Sequence, residues 1–528
     1  MKFCLVLSAL CILVSFATGQ VDTAWMRLYN GPDNLRDMAR AVALDDSGNV
    51  YVTGLSYVTG VRTRIATLKY SGDGALRWAA FYDRQANFTT SGVRVAVGSA
   101  GAIYVTGTTT GAGTQSDITT VKYTPSGDTV WARFLDGAAH SNDVAVGLGL
   151  DAAGNVYVTG GVVDAVTSSD FAVVKYDAAG NEQWVGYFRG GTRADAPVAA
   201  TTDSAGNVYV VGTSEGPDST SRIATVKFSP AGDTLWARFY QHASRSIEVP
   251  GGVAVDAAGN VFAAGSDIDA TTNYDFAVIK YSSDGIEQWV RRYDEAAGMD
   301  LSSSVAVDGA GAVYVAGQCE DSAGTAVCTV VKYDADGSLR WVRRYRSGDF
   351  NGARAVALDE WANVYVGGFC QLTDTTQVPL LVKYDSAGNE QWATQRAPAL
   401  TGVGEVNKLA IDDSASVYCT GWYGAGIMST DFLTAKYDQA SGIEEREKSE
   451  VRRVKDGSTI VRGVLELKAY GIRHTAFRAE LLDISGRRVL GLKPGANDVR
   501  SLAPGVYFVR AVSRKLSAVS CHKVLIQR

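Results

Sequence analysis

A serine set between glycines, Gly212-Thr-Ser214-Glu-Gly216, has the spacing of a strained turn that exposes a nucleophilic hydroxyl. That chemistry needs a helix directly after the serine. Here a strand-patterned run leads into a hairpin loop, so the match is discounted. Asp334-Ala-Asp336-Gly337 echoes the start of a calcium loop, but the remaining ligands and the terminal glutamate are missing. A tight turn is the better reading. There are four histidines. His140 and His242 fall in loops without partners at ligand spacing, and His474 and His522 lie near the C-terminus. No Cys-x-x-Cys or Cys/His cluster occurs, so no zinc, other metal or cofactor is expected. A triad assembled from distant segments stays open. Asn87-Phe-Thr89 is the single glycosylation-type sequon.

The elements that would position such groups follow from composition. The chain has 528 residues, with 57 Gly but only 10 Pro, 46 % hydrophobic and 20 % charged residues. This excludes a disordered chain, and the absence of a three-residue glycine period excludes collagen. Abundant Gly with 25 Tyr and 10 Trp favours strands over long helices.

Eight tryptophans recur in one register: Trp25, Trp78, Trp131, Trp184, Trp236, Trp289, Trp341 and Trp392, spaced 51 to 53 residues apart. Eight Lys-aromatic pairs keep the same period, from Lys69-Tyr70 to Lys436-Tyr437. So does a third aromatic, from Tyr51 to Tyr418. Each unit carries four β-patterned runs; in the first they are Ala41–Leu44, Asn49–Thr53, Ile65–Tyr70 and Leu76–Tyr82. The position of Ala43 stays small in every unit, which fits the crowded inner edge of radially packed sheets. Four strands per unit, repeated radially, make an all-β propeller. The first tryptophan strand, Thr23–Tyr29, lacks a preceding partner, and the last Lys-aromatic strand lacks a following one. The first strand is therefore expected to complete the last of eight blades, with Trp25 beside Phe432–Tyr437.

The repeats resemble the SBBP family of β-propeller repeats. The residues that carry this are Asp151-Ala-Ala-Gly-Asn-Val-Tyr-Val-Thr-Gly160, Phe171-Ala-Val-Val-Lys-Tyr-Asp177 and Gly180-Asn-Glu-Gln-Trp184. The resemblance covers about residues 21–443. It implies a propeller but no known ligand or reaction, and eight units depart from the seven blades in the family's name. The spacing of Asp177, Gly180 and Trp184 is also similar to the tryptophan-docking repeats of eight-bladed quinoprotein dehydrogenases. Here the turn is one residue shorter and the adjacent cysteine pair is absent.

The Asp-x-x-Gly-Asn segments read as hairpin turns. The repeated Trp reads as packing between blades rather than as an aromatic binding wall. The eight Lys could ring an anion, but an ammonium over a neighbouring aromatic or beside a turn Asp is the plainer reading. Loops after the second and fourth strands vary in length and composition, as in Ser214–Arg222 and His242–Pro250, whereas the other turns are uniform. In an antiparallel blade the variable loops share one face, which is where function is expected.

Residues 1–19 read as a removed signal peptide. Lys2 is followed by an apolar run from Cys4 to Phe16, with cleavage between Gly19 and Gln20 and no transmembrane anchor in the mature chain. Of seven Cys, five remain: Cys319, Cys328, Cys370, Cys419 and Cys521. Cys319 and Cys328 flank one loop and are candidates for a disulfide. The charged run 444–456 reads as a linker. Residues 457–528 have a different β pattern, expected as a small Ig-like sandwich. From Glu444 onward there are 18 Lys and Arg against 9 Asp and Glu, which leaves 32 against 47 for residues 1–443. An acidic main body excludes a nucleic-acid partner.

Leu482-Asp-Ile-Ser-Gly-Arg487, Leu502-Ala-Pro-Gly-Val-Tyr-Phe-Val-Arg510 and Lys523-Val-Leu-Ile-Gln-Arg528 resemble the type A sorting domain of the bacterial type IX secretion system. The resemblance implies an export-machinery partner and a secreted or outer-surface location. The expectation is a non-catalytic propeller (residues 20–443) binding an extracellular glycan, envelope component or protein. The alternatives are an enzyme acting on an extracellular polymer, marked by acidic residues around a deep axial pocket, and a scaffold that binds nothing.

Overall fold

The computed structural model describes residues 21–439 apart from 60–61, 85–90, 100, 112–114, 165–168, 192, 217–219, 243–246, 269–272, 296–297, 399–401 and 427–428. Beyond residue 458 it describes strand segments alone. The leader with Gly19 and Gln20, the sequon at Asn87, the linker 444–456 and parts of the C-terminal motifs lie outside the described residues.

The described residues are all-β, with no helix. Residues 22–438 form a β-propeller-like array of four-stranded antiparallel units. Six four-stranded sheets follow one another, and an eight-stranded sheet holds the rest of the array. Its two halves meet at a single parallel bridge, Gln377↔Val403. Asp22–Tyr29 pairs antiparallel with Thr430–Asp438, placing Trp25 opposite Lys436. The first strand of each unit contacts the first strand of the next, and Val403–Ile411 returns to Asp37–Leu44. These strands therefore form a closed inner ring. Small residues permit that approach: a Cβ on Gly149 would run into the Thr202 side chain of the next unit.

Observed strands are longer than their hydrophobic cores. In the first unit they are Asp37–Leu44, Val50–Val58, Arg62–Tyr70 and Leu76–Tyr82. The extra length of the first strand lies beyond a β-bulge between Ala39 and Ala41. A bulge inserts one residue and breaks alternation, which hides the continuation from a period-two reading. Every unit has this bulge, and in seven of them a glycine of the second strand lies against it. A Cβ on Gly54, Gly160, Gly212, Gly265, Gly317, Gly368 or Gly421 would fall under 3.0 Å from the backbone carbonyl before the bulge.

The turns use local chemistry. Asp45 accepts the backbone N–H of Ser47 (3.0 Å) and of Asn49 (2.8 Å), the Asn49 amide (2.7 Å) and the Tyr51 hydroxyl (3.0 Å). Gly48 follows at φ 74°, a left-handed conformation that glycine adopts without cost.

Hydrophobic clusters straddle neighbouring units rather than filling one unit. Tyr104, Ile118 and Trp131 pack with Val156, Val158, Ala172 and Tyr176 of the next. The core is thus a series of seams.

The expected Cys319–Cys328 disulfide is absent, and both thiols are free and buried. Cys319 lies opposite Val327 and Cys328 opposite Gln318. Directly opposed residues share a face, so the two sulfurs project to opposite faces of the sheet. Cys319 packs with Phe276 and Trp289, and Cys328 with Val364 and Tyr384.

In the C-terminal module, Thr459–Val461, Val519–Ile526, Gly505–Ser513, Phe477–Asp483 and Arg488–Leu492 form one sheet in that order. Val464–Leu467 pairs with Gly495–Asp498.

Candidate functional site

The bulges present one extra residue per unit at the inner ring. These residues are Arg40, Val93, Val146, Val198, Gly251, Ser303, Arg354 and Asn407. Arg40, Val93, Arg354 and Asn407 line a cavity of about 360 Å³ together with Arg94, Lys408, Thr108 and Val144. The lining comes from five consecutive units, all of it on first strands except Thr108 on a second strand, so the cavity sits inside the ring. Val144 begins its strand, and Thr108 pairs with Ser91 at the start of another. Both mark the end of the ring where the variable loops emerge.

Four cations converge in this well: Arg40, Arg94, Arg354 and Lys408. Arg354 Nε donates to Glu405 Oε2 at 3.2 Å, and its guanidinium lies 5.0 Å from the centre of Phe369. Arg94 Nη1 donates to the Val93 carbonyl at 3.1 Å. Burial, reinforced by the Arg94 charge, lowers the Lys408 ammonium to about 8. Burial also lowers Arg94. Among the described residues, the carboxylate ion-paired with this group is Glu405, which also accepts the Trp422 indole N–H at 3.1 Å.

Around the well, buried carboxylates anchor the loops. Asp37 accepts the Gly31 N–H at 2.5 Å, Asp143 that of Gly137 at 2.6 Å, Glu248 that of His242 at 3.0 Å, and Asp300 that of Glu295 at 2.6 Å. Asp143 also holds the Val163 N–H at 2.8 Å, and Asp300 the Glu320 N–H at 3.2 Å. One carboxylate therefore ties the loop entering a unit to the loop after its second strand. Two anchors sit in acidic clusters, Asp117/Asp136/Asp143 and Asp275/Asp294/Asp300, whose oxygens lie within 4.8 Å of one another. These are the groups among the described residues with the spacing to hold a metal ion. An arginine already supplies positive charge to each, Arg84 at Asp117 and Arg292 at Asp275.

Burial, opposed by local donors, raises Asp143 to about 6 and Asp300 to about 7. A raised carboxyl pKa stabilises the fold fully below the unfolded value near 4, and that stability is lost as pH rises through 7. Asp300→Asn should retain the loop anchor, because Asn351 plays this part in its own unit by accepting the Ser347 N–H at 3.1 Å. Thermal melts from pH 4 to 8 should show the variant gaining on the parent as pH rises. Parallel curves would refute the assignment.

The repeated residues form the seams. Each tryptophan indole N–H from Trp25 to Trp341 donates to a turn carbonyl of the next unit at 2.9–3.4 Å, and Trp392 reaches Gln439 Oε1 at 3.3 Å. Trp25, Trp131, Trp236, Trp289, Trp341 and Trp392 are buried, and Trp78 and Trp184 half-buried, leaving no aromatic wall for a ligand. The ammonium groups lie 4.8–5.4 Å from the aromatic centres of their own units, as with Lys69 over Tyr51 and Lys436 over Tyr418. Several share the carbonyl used by the tryptophan; Lys122 and Trp131 both donate to Ala178 O.

Ser214 is buried beside the loop anchor Asp195 and accepts from Arg222 Nη2 at 3.4 Å, so it is no exposed nucleophile. Asp334 and Asp336 are engaged in their own turn, Asp334 pairing with Arg340 and Asp336 accepting the Ser338 N–H at 2.9 Å. His140 Nδ1 lies 2.6 Å from Asp136 Oδ2. Sequence reasoning missed the axial cations. The column of bulge residues has no common identity, and comparing units for what differs, not for what recurs, would have exposed it.

No family model matches this sequence, and no curated protein matches it. Solved structures do. A PL25 ulvan lyase, a polysaccharide lyase, aligns at 11 % identity over 77 % of this chain and 97 % of its own, with a TM-score of 0.43. A puromycin hydrolase aligns at 12 % identity over 77 % and 62 %, TM-score 0.43. The β-propeller domain of the Trilobed protease from Pyrococcus furiosus aligns at 9 % identity over 64 % and 93 %, TM-score 0.39. The expectation of a non-catalytic chain is corrected by this comparison. Two of the three carry the names of enzymes, a lyase and a hydrolase.

Proposed function

We propose that residues 20–443 are an SBBP-type propeller of eight blades, the joined eight-stranded sheet counting as two and the strand 22–29 completing the last. Residues 457–528 act as an Ig-like type A sorting module engaged by the export machinery. The protein works outside the cell, secreted or on a bacterial outer surface, and takes its ligand on the variable loop face at the mouth of the axial well. One observation carries this reading: loops that differ between units are fixed by buried carboxylates, whereas the opposite face repeats one turn. Rigid anchors beneath variable loops hold a ligand surface in shape.

The test is a screen of the full chain against glycans and envelope extracts, with polymers examined for shortening. A saturable ligand is expected, weakened by Arg193→Glu on the loop face, where Arg193 pairs with Glu215, and indifferent to Asp46→Lys on the turn face. No saturable ligand, or equal sensitivity on both faces, defeats the reading. For export, surface protein should begin at Gln20. An intact tail on purely periplasmic protein would defeat the sorting reading.

A further inference from the structure

The geometry points to the axial well as an oxyanion site that takes a carboxylate, sulfate or phosphate group borne by the ligand; this rests on the loop-face reading above. The placement of charge is the first argument. Residues 1–443 carry 32 basic against 47 acidic residues, yet four basic side chains line one cavity of about 360 Å³. Glu405 is the carboxylate paired with them among the described residues, and its second oxygen is taken by Trp422.

The repeat itself supplies the second argument. The bulge is built equally well around Val146, Val198, Gly251 or Ser303, so Arg40 and Arg354 are not needed to form it. The next position is small in six units: Ala41, Gly147, Ala199, Gly252, Ser304 and Ala355. Arg94 and Lys408 are the two departures, and both face the well. The fold does not ask for these two cations. Their mutual repulsion weakens the empty ring, and an entering anion relieves it.

Chemistry and size set the ligand class. Guanidinium forks match planar and tetrahedral oxyanions, and Lys408 adds a point charge. The volume suits one charged ring or a small acid, at the lower end of the usual range for small-molecule sites.

The test uses the full chain at low ionic strength and measures binding of glucuronate, sulfate and inorganic phosphate by calorimetry, with methyl glucoside as the neutral control. At least one anion should bind below about 10 mM, and the ranking identifies the source of the charge. Arg94→Gln and Lys408→Met should each weaken binding about tenfold. Both should raise the melting temperature without anion, which separates them from misfolded variants. Absence of binding, or binding unchanged in both variants, overturns the inference. A neutral ligand bound by the loops and indifferent to both variants would sink the oxyanion site and leave the loop-face reading standing. An anion held in the well with no ligand in the glycan and envelope screen would do the reverse.

Discussion

Gly317→Ala should cost about 3 kcal/mol or more, enough to leave much of the chain unfolded at moderate temperature. The added Cβ would meet the carbonyl of Leu301 well inside contact distance, with the Phe276 ring and the Leu301 carbonyl carbon also within 3.0 Å. Two of the three obstacles are backbone, so no rotamer change relieves them. Relief requires opening the bulge, and the bulge holds the first strand in the inner ring. Gly309→Ala is the control: nothing lies within 4 Å of the place its Cβ would take, and its φ is ordinary. That variant should stay within about 0.5 kcal/mol of the parent. Denaturant titration of both proteins reads the difference. Equal midpoints would show that the ring tolerates a wider bulge than its geometry implies.

Trp236→Ala should destabilise by about 3–5 kcal/mol. Trp236 is buried at 7 % exposure, packs near Tyr281 at 5.9 Å, and lies against Gly285 of the next unit. Its indole N–H donates to Ser283 O at 3.0 Å, the oxygen that also accepts from Lys227 at 3.1 Å. Trp236→Phe keeps most of the apolar contact and gives up the hydrogen bond, so its loss should be nearer to about 1 kcal/mol. The split between the two variants separates seam packing from seam hydrogen bonding. If both cost the same, the indole N–H carries the seam.

The seams were legible because they recur. Trp25 and its seven counterparts, the Lys-aromatic pairs and the turn aspartates each mark a contact made once per unit, and period exposes contacts of that kind. The pairing of Trp25 with Lys436 followed from the offset of the two ends alone. The bulge was hidden because one extra residue leaves the repeat spacing intact while it reverses the face of everything before it. Asp37–Ala39 therefore read as loop rather than strand. The disulfide misled for a related reason: proximity in a hairpin says nothing about register, and a one-residue offset put Cys319 and Cys328 on opposite faces. The axial cations fall at positions where the units disagree, and a reading built on recurrence averages them away.

The strand Asp22–Tyr29 finds its partner Thr430–Asp438 roughly 400 residues later. In equilibrium terms so long a closure is cheap. Three doublings beyond a loop of about 50 residues add only about 2 kcal/mol of chain entropy. In time it is costly, because the edge left open by the first strand cannot be covered until nearly the whole array has been made or delivered. A chain threaded through a membrane from its N-terminus would carry that open edge for most of the journey. Ring closure thus marks a complete chain, since only a molecule whose last strands have arrived covers that edge.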